Sequence, residues 1–224
     1  MQISWLSRQS WVAVFDVLGF GRLLEQADHD LSRAILTSQL DDLLNSLRSE
    51  TVKGKLEWLI FSDTIAIFTP TEEPKDYPWF LLQCKNLIKQ SIAIRLPLRG
   101  AISIGRSFSA NEHPIVLGRP FSEAFQYCED QDWIGLLLTP SATRALRSVG
   151  LEPLHHHFVD GPIPLRRMAP DDVLAYRFQD GATNFQNPLV PQLQNMQHSA
   201  PAEAKPKYAR TIEHIQRYHR WVAG

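Results

Sequence analysis

Cysteine is scarce in this 224-residue chain, with Cys84 and Cys128 the only two. They share no metal-ligand spacing and both fall in apolar helical patterns. That excludes a cysteine-based metal site, makes both small core residues, and fits a reducing, cytoplasmic setting. An excess of charge of either sign is also missing: 23 basic residues face 24 acidic ones, for a net charge of -1. A nucleic-acid binder would carry a basic excess or patch, so no nucleic-acid partner is expected. A local cationic site for a small polyanion stays compatible with a neutral whole. No apolar run approaches the ~20 residues that span a bilayer, so no membrane association is expected. The run after Arg8 is interrupted by Asp16 and no small-residue cleavage site follows, which argues against a signal peptide. Internal repeats are absent. What remains is an ordinary globular composition, 44% apolar and 21% charged, with enough chain for one sizeable core, or a core with an appendage.

"WVAVFDVL" (11–18) has the apolar, β-branched and aromatic content of a strand. A helical pattern follows over 20–27. A second helix runs from about Asp30 to Ser49, with Leu36, Leu40, Leu43, Leu44 and Leu47 on one stripe and Asp28 or Asp30 as N-cap. "KLEWLIFSDTIAIFTP" has two apolar runs around Ser62-Asp63 and predicts a tight β-hairpin. Residues 75–95 predict a helix, "PLRGAISIG" a strand, "HPIVLG" a short strand and "RPFSEAFQYCED" a helix with Pro120 in its first turn. "WIGLLLTP" is a buried strand, and Pro140 opens one more helix. The alternation predicts an α/β sandwich, a mixed sheet with helices packed on it, over residues 1–180. From about Thr183 the chain turns polar and rich in Pro, Gln and Asn, so 181–205 is expected as an extended connector. An amphipathic helix is expected within 206–224, with Tyr208, Ile212, Ile215 and Val222 on one face.

Asp16 is the single charge in a buried-looking strand. A desolvated carboxylate needs a cation, a proton or hydrogen-bond donors beside it. Asp63 lies on the predicted hairpin. If that hairpin lies beside the first strand, two carboxylates converge, and a divalent metal with hard oxygen ligands is the natural counter-ion. "DVLGF" passes from strand to helix through a glycine, where outward backbone amides can hold phosphate. Together these features suggest a nucleoside triphosphate with two metal ions. The alternatives are that Asp16 caps the next helix and that Asp63 is a solvated turn residue.

"VFDVLGF" resembles the first metal-binding motif of class III nucleotidyl cyclases, and "IFSDTIAIF" resembles their second metal-binding hairpin. "LRGAISIG" and "LGRPFSEAF" are similar to the strand and helix opening that follow. The wording is closest to the bacterial pyrimidine cyclases of Pycsar anti-phage systems, and the match spans roughly residues 10–145. The resemblance implies a ferredoxin-like cyclase catalytic domain. It implies that Asp16 and Asp63, with the backbone carbonyl of Val17, hold two divalent ions, Mn²⁺ or Mg²⁺. It also implies that Phe15, Leu18, Gly19 and Phe20 wrap the triphosphate. Arg99 matches a family arginine near substrate and is a candidate catalytic residue, with an ion-pair or surface role as the alternative.

The implied activity is conversion of UTP or CTP into 3′,5′-cyclic UMP or CMP plus pyrophosphate. The implied assembly is a head-to-tail homodimer with sites at its interface, whose product acts on a separate cyclic-nucleotide-gated effector. One departure stands out. Adenylate and guanylate cyclases carry an Asn and an Arg on the helix after the last hairpin, where this chain has Ser122 and Gln126, neither of them cationic. Arg119, Arg106 or an arginine of a second subunit could replace that charge. The other readings are a non-catalytic cyclase-like sensing or scaffold domain, and an adenylate or guanylate cyclase. "LHHHF" places His155, His156 and His157 in a loop, because neighbouring residues of an extended segment point to opposite faces. No His stands at partner spacing to Ser62, which leaves that serine without a base. Trp11, Trp58, Trp79 and Trp133 are expected to pack in the core.

Overall fold

The structure, a computed structural model, describes residues 5–26, 30–52, 54–70, 76–110, 116–151, 157–169, 171–178 and 188–218. Its axis is a pair of long strands. β1 (Trp5–Val17) and β4 (Leu98–Ala110) run antiparallel in register from Trp5 opposite Ala110 to Val17 opposite Leu98. The other edge of β1 pairs with β3 (Thr64–Phe68), which continues through Ser62-Asp63 from β2 (Glu57–Phe61). β6 (Leu136–Leu138) lies parallel to β4, followed by β8 (Leu174–Tyr176) and β7 (Phe158–Val159), while β5 (Val116–Gly118) pairs with the far half of β4. The eight-stranded mixed sheet runs β2-β3-β1-β4-β6-β8-β7. The helices are α1 (Phe20–Gln26), α2 (Asp30–Val52), α3 (Tyr77–Ala93), α4 (Arg119–Asp130), α5 (Pro140–Ser148), α6 (Leu189–Ser199) and α7 (Lys205–Tyr218). This is the α/β sandwich that the alternation predicts.

The period of two along β1 divides the core. Trp11, Ala13, Phe15 and Val17 face a cluster built with α2, α3, α6 and α7. Val12 and Val14 face Ala124, Tyr127 and Cys128 of α4, with Trp133. By the same parity Asp16 lies on the α4 face. Leu36, Leu43 and Leu47 bury the α2 stripe, with Leu40 and Leu44 packed partly against it. Trp11 and Trp133 are buried, and Trp58 and Trp79 lean on the core. Cys84 and Cys128 are free and fully buried, and burial pushes both thiols well up. Among the described residues no helix is long and apolar enough to cross a membrane.

Several expectations change. β1 begins at Trp5 rather than residue 11, and β4 extends to Ala110 rather than 105. Their outer halves are polar and lack strand patterning, and each is held by the ladder to the other. Residues 181–205 were expected as a connector, yet Leu189–Ser199 forms α6. Leu189, Leu193 and Met196, at helical spacing, are buried against α3 and α7, and that stripe outweighs the surrounding Gln and Asn. β6 is shorter than "WIGLLLTP", and β7 and β8, two and three residues long, had no sequence signal. Val222, Asp28, His155 and His156 lie outside the described residues. His157 is half-buried, its Nδ1 3.4 Å from Lys85 Nζ.

α7 docks through Thr211, whose hydroxyl accepts from the Ile134 N–H (2.8 Å) and donates to the Ile134 carbonyl (3.0 Å). It also docks through His214, which is 7% exposed and donates from Nε2 to the Tyr176 carbonyl (2.8 Å). Burial lowers the His214 pKa from 6.5 to about 4. A base with a depressed pKa is neutral when folded and protonated when unfolded between those values, so stability falls as pH drops through that window. Urea titrations at pH 7 and pH 4 should differ by roughly 3 kcal/mol from this group alone. His214→Gln should flatten that part of the profile, and an unchanged profile would mean the imidazole does not anchor α7.

Candidate active site

The hairpin delivers Asp63 to the end of β1. Its turn is two residues long, with Ser62 at φ 57°, the left-handed region that a tight hairpin requires. The pairing of Asp16 with Thr64 fixes the next position, and the Val17 N–H donates to the Asp63 carbonyl (3.0 Å). The two acidic residues, remote in sequence, therefore flank one sheet end. Their proximity is electrostatic as well: the Asp63 charge contributes to raising the Asp16 pKa.

Arg99 stands directly opposite Asp16 in the β1–β4 ladder. Its Nε donates to Asp16 Oδ2 (2.7 Å), and its Nη1 donates to the carbonyls of Glu129 (2.7 Å) and Gln131 (2.9 Å), at the end of α4. The side chains are only 11% and 15% exposed for Arg99 and Asp16. Even so, the Asp16 pKa stays above the ordinary carboxylate value. Desolvation is the largest cause, Arg99 opposes it, and Asp63 and Glu129 add to it. One arginine does not offset burial plus two nearby acids, so the Asp16 carboxyl holds a proton or a further cation more readily than an exposed one.

The β1–α1 turn is formed by Leu18 and Gly19. The Leu18 N–H donates to the Pro97 carbonyl (2.9 Å), and Gly19 takes φ 78°, which a glycine adopts without a Cβ penalty. Gly19 is exposed, and Leu18 and Phe20 are half-buried beside it. Phe15 and Val17 differ: both side chains are buried in the core on the face opposite Asp16. The Phe15 ring does not wrap the site, because alternation along the strand turns it away, and only its backbone lies near. The ring fills the space over Gly100, where an added Cβ would sit 2.5 Å from Phe15 Cδ1. Gly100→Ala should cost about 1–3 kcal/mol in urea unfolding, and no loss would show that the ring is not wedged there.

α4 presents Ser122, Phe125, Gln126 and Glu129 to solvent, with Arg119 exposed at its start. No cation stands on that outward face beyond Arg119. Arg106 is exposed on β4. Sequence reading missed the Glu129 and Gln131 carbonyls that hold Arg99, since a main-chain acceptor leaves no trace in residue identity. Gln131 itself is locked, donating from Nε2 to the Gly100 carbonyl (2.9 Å) and accepting from Trp133 Nε1 (2.8 Å).

The donor set suits a hard divalent cation. It comprises the Asp16 and Asp63 carboxylates, and among the described residues no group of three or more His, Cys, Asp or Glu could hold a metal ion. Mg²⁺ and Mn²⁺ bind in this way when water and substrate phosphates complete the shell.

No protein-family model matches the chain, and no curated protein matches it. Solved structures do. The catalytic core of a rhodopsin-guanylyl cyclase with converted specificity, in complex with ATPαS, superposes with a TM-score of 0.57 at 11% identity, over 78% of this chain and 96% of that one. The dimeric guanylyl cyclase domain of the RhoGC fusion protein from the aquatic fungus Blastocladiella emersonii gives 0.55 at 13% identity, over 78% and 97%. The guanylyl cyclase Cya2 gives 0.54 at 11% identity, over 81% and 98%. The chain thus has the mixed sheet and packed helices of a nucleotidyl cyclase catalytic domain.

Proposed function

We propose that this protein is a class III nucleotidyl cyclase acting on a pyrimidine triphosphate. It would convert UTP, or CTP, to the 3′,5′-cyclic monophosphate and pyrophosphate. The observation that carries the reading is the convergence of Asp16 and Asp63 at one end of a cyclase-type sheet, in a field that one arginine leaves short of positive charge. Asp16, Asp63 and the Val17 carbonyl would hold two divalent ions, Mn²⁺ or Mg²⁺. When bound, these supply activation of the ribose 3′-hydroxyl and charge neutralisation at the departing pyrophosphate. The chain's own residues do the positioning. Arg99 fixes the Asp16 carboxylate, and the Leu18–Phe20 turn offers the surface along which the triphosphate lies.

A homodimer with sites between subunits completes the reading. Phe61, next to the hairpin turn, is 83% exposed, and Phe125 on α4 is 42% exposed. Large aromatics left bare beside the site are what a second subunit would cover. The pyrimidine choice, the anti-phage role and the separate cyclic-nucleotide-gated effector rest on the motif wording around Asp16 and Asp63. Ser122 and Gln126, exposed and uncharged, favour a second reading, a non-catalytic nucleotide-sensing domain. Purine cyclization is the third.

The test is incubation of purified protein with each of the four ribonucleoside triphosphates and Mn²⁺, with products identified by mass. Cyclic UMP or cyclic CMP supports the proposal. Cyclic AMP or GMP moves the substrate to a purine, and no consumption of any triphosphate ends the enzyme reading.

A further inference from the structure

The site built so far lacks a cation aimed at the substrate, because Arg99 is spent on Asp16 and two carbonyls, and α4 offers Ser122 and Gln126. α7 brings one. Arg210 pairs with Asp132 and donates to its carbonyl (3.0 Å), and Thr211 grips Ile134, so the helix is pinned to the turn directly after Gln131, which anchors Arg99. One turn before Thr211 stands Lys207, half-buried, whose ammonium makes no hydrogen bond or close ion pair with a described residue. A lysine charge in the first turn of a helix works against the helix dipole, so the Lys207 ammonium does not stabilise α7 through it. Its surroundings include Arg99, Arg166, Asp132 and Asp16. Burial is the largest cause of its lowered pKa, and the two arginines add to it. The two acids near Lys207 are already taken, Asp16 by Arg99 and Asp132 by Arg210 and Arg166, so the half-desolvated ammonium is the charge left over for an anion to join.

We propose that Lys207, presented by α7 from outside the core cyclase motifs, binds the triphosphate tail of the substrate and the pyrophosphate product. The inference rests on the cyclase reading for its substrate. It gives the appended helix a catalytic-domain role and supplies in the same chain the charge that Ser122 and Gln126 do not. Arg166, 46% exposed and 3.9 Å from Asp132, is a candidate to share the anion.

The test uses inorganic pyrophosphate with Mn²⁺, titrated calorimetrically into the full chain, and the same pyrophosphate as a product inhibitor of turnover. Lys207→Met should weaken pyrophosphate binding about tenfold, the loss of one charge-assisted contact. Lys207→Arg should stay within about threefold of wild type, and the thermal midpoint should not move. If Lys207→Met lowers that midpoint, Lys207→Gln gives the same comparison. Equal pyrophosphate affinity in wild type and the neutral variants overturns the proposal, as does a wild type that does not bind pyrophosphate. A wild type that binds pyrophosphate through Lys207 but consumes no triphosphate sinks the cyclase reading alone.

Discussion

Asp63→Asn should lower turnover of the accepted triphosphate about 10³-fold with Mn²⁺, the loss equivalent to about 4 kcal/mol of transition-state stabilisation. The substitution is nearly isosteric. Asn keeps the carbonyl that accepts the Val17 N–H, and asparagine suits a tight hairpin turn. Fold and thermal midpoint should therefore survive. What disappears is one of two negative charges that grip divalent ions. Initial rates by mass detection, with circular dichroism as the folding control, check the prediction. A rate within tenfold of wild type would remove Asp63 from the reaction.

Arg99→Met should destabilise the protein by about 3 kcal/mol in urea unfolding, because it strands a largely buried carboxylate. It also strands the Glu129 and Gln131 carbonyls, which lose their donor at the end of α4. The double variant distinguishes the two costs. With Asp16→Asn already present no charge is left unpaired, so Arg99→Met should then cost only about 1–2 kcal/mol, the share of the carbonyls. Equal losses in both backgrounds would mean that the Asp16–Arg99 pair carries no coupling. Under the proposed function this arrangement makes Arg99 a positioning residue. It is the bolt between α4 and the Asp16 carboxylate.

The inner half of the sheet was legible because its residues alternate or run apolar. Val12 to Val17 and the hairpin from Glu57 to Phe68 announce themselves as strands, and the leucine stripe of α2 announces its helix. The outer halves of β1 and β4 were not legible, since residues such as Ser7, Arg8 and Ser107, Ser109 gain strand geometry only from each other. α6 was hidden by its glutamines, although Leu189, Leu193 and Met196 carried the helical period. At the site the two acids stood out, because a charge inside an apolar run demands a partner. The partner did not: which residue of β4 faces Asp16 depends on register, and a one-residue slip would put Arg99 on the other face. The placing of Phe15 at the triphosphate came from motif resemblance. Strand parity alone turns its ring away from Asp16 and into the core.

Burial and the neighbouring Asp63 charge disfavour the ionised Asp16 carboxylate. The proposed function has metal join Asp16 and Asp63. The most direct measurement is anomalous diffraction from crystals of the full chain grown with Mn²⁺ and a non-hydrolysable triphosphate. The account predicts two manganese peaks about 4 Å apart, both in contact with the Asp16 and Asp63 carboxylates. Manganese found only on the phosphates, with Asp16 still paired to Arg99 and Asp63 facing solvent, would contradict it.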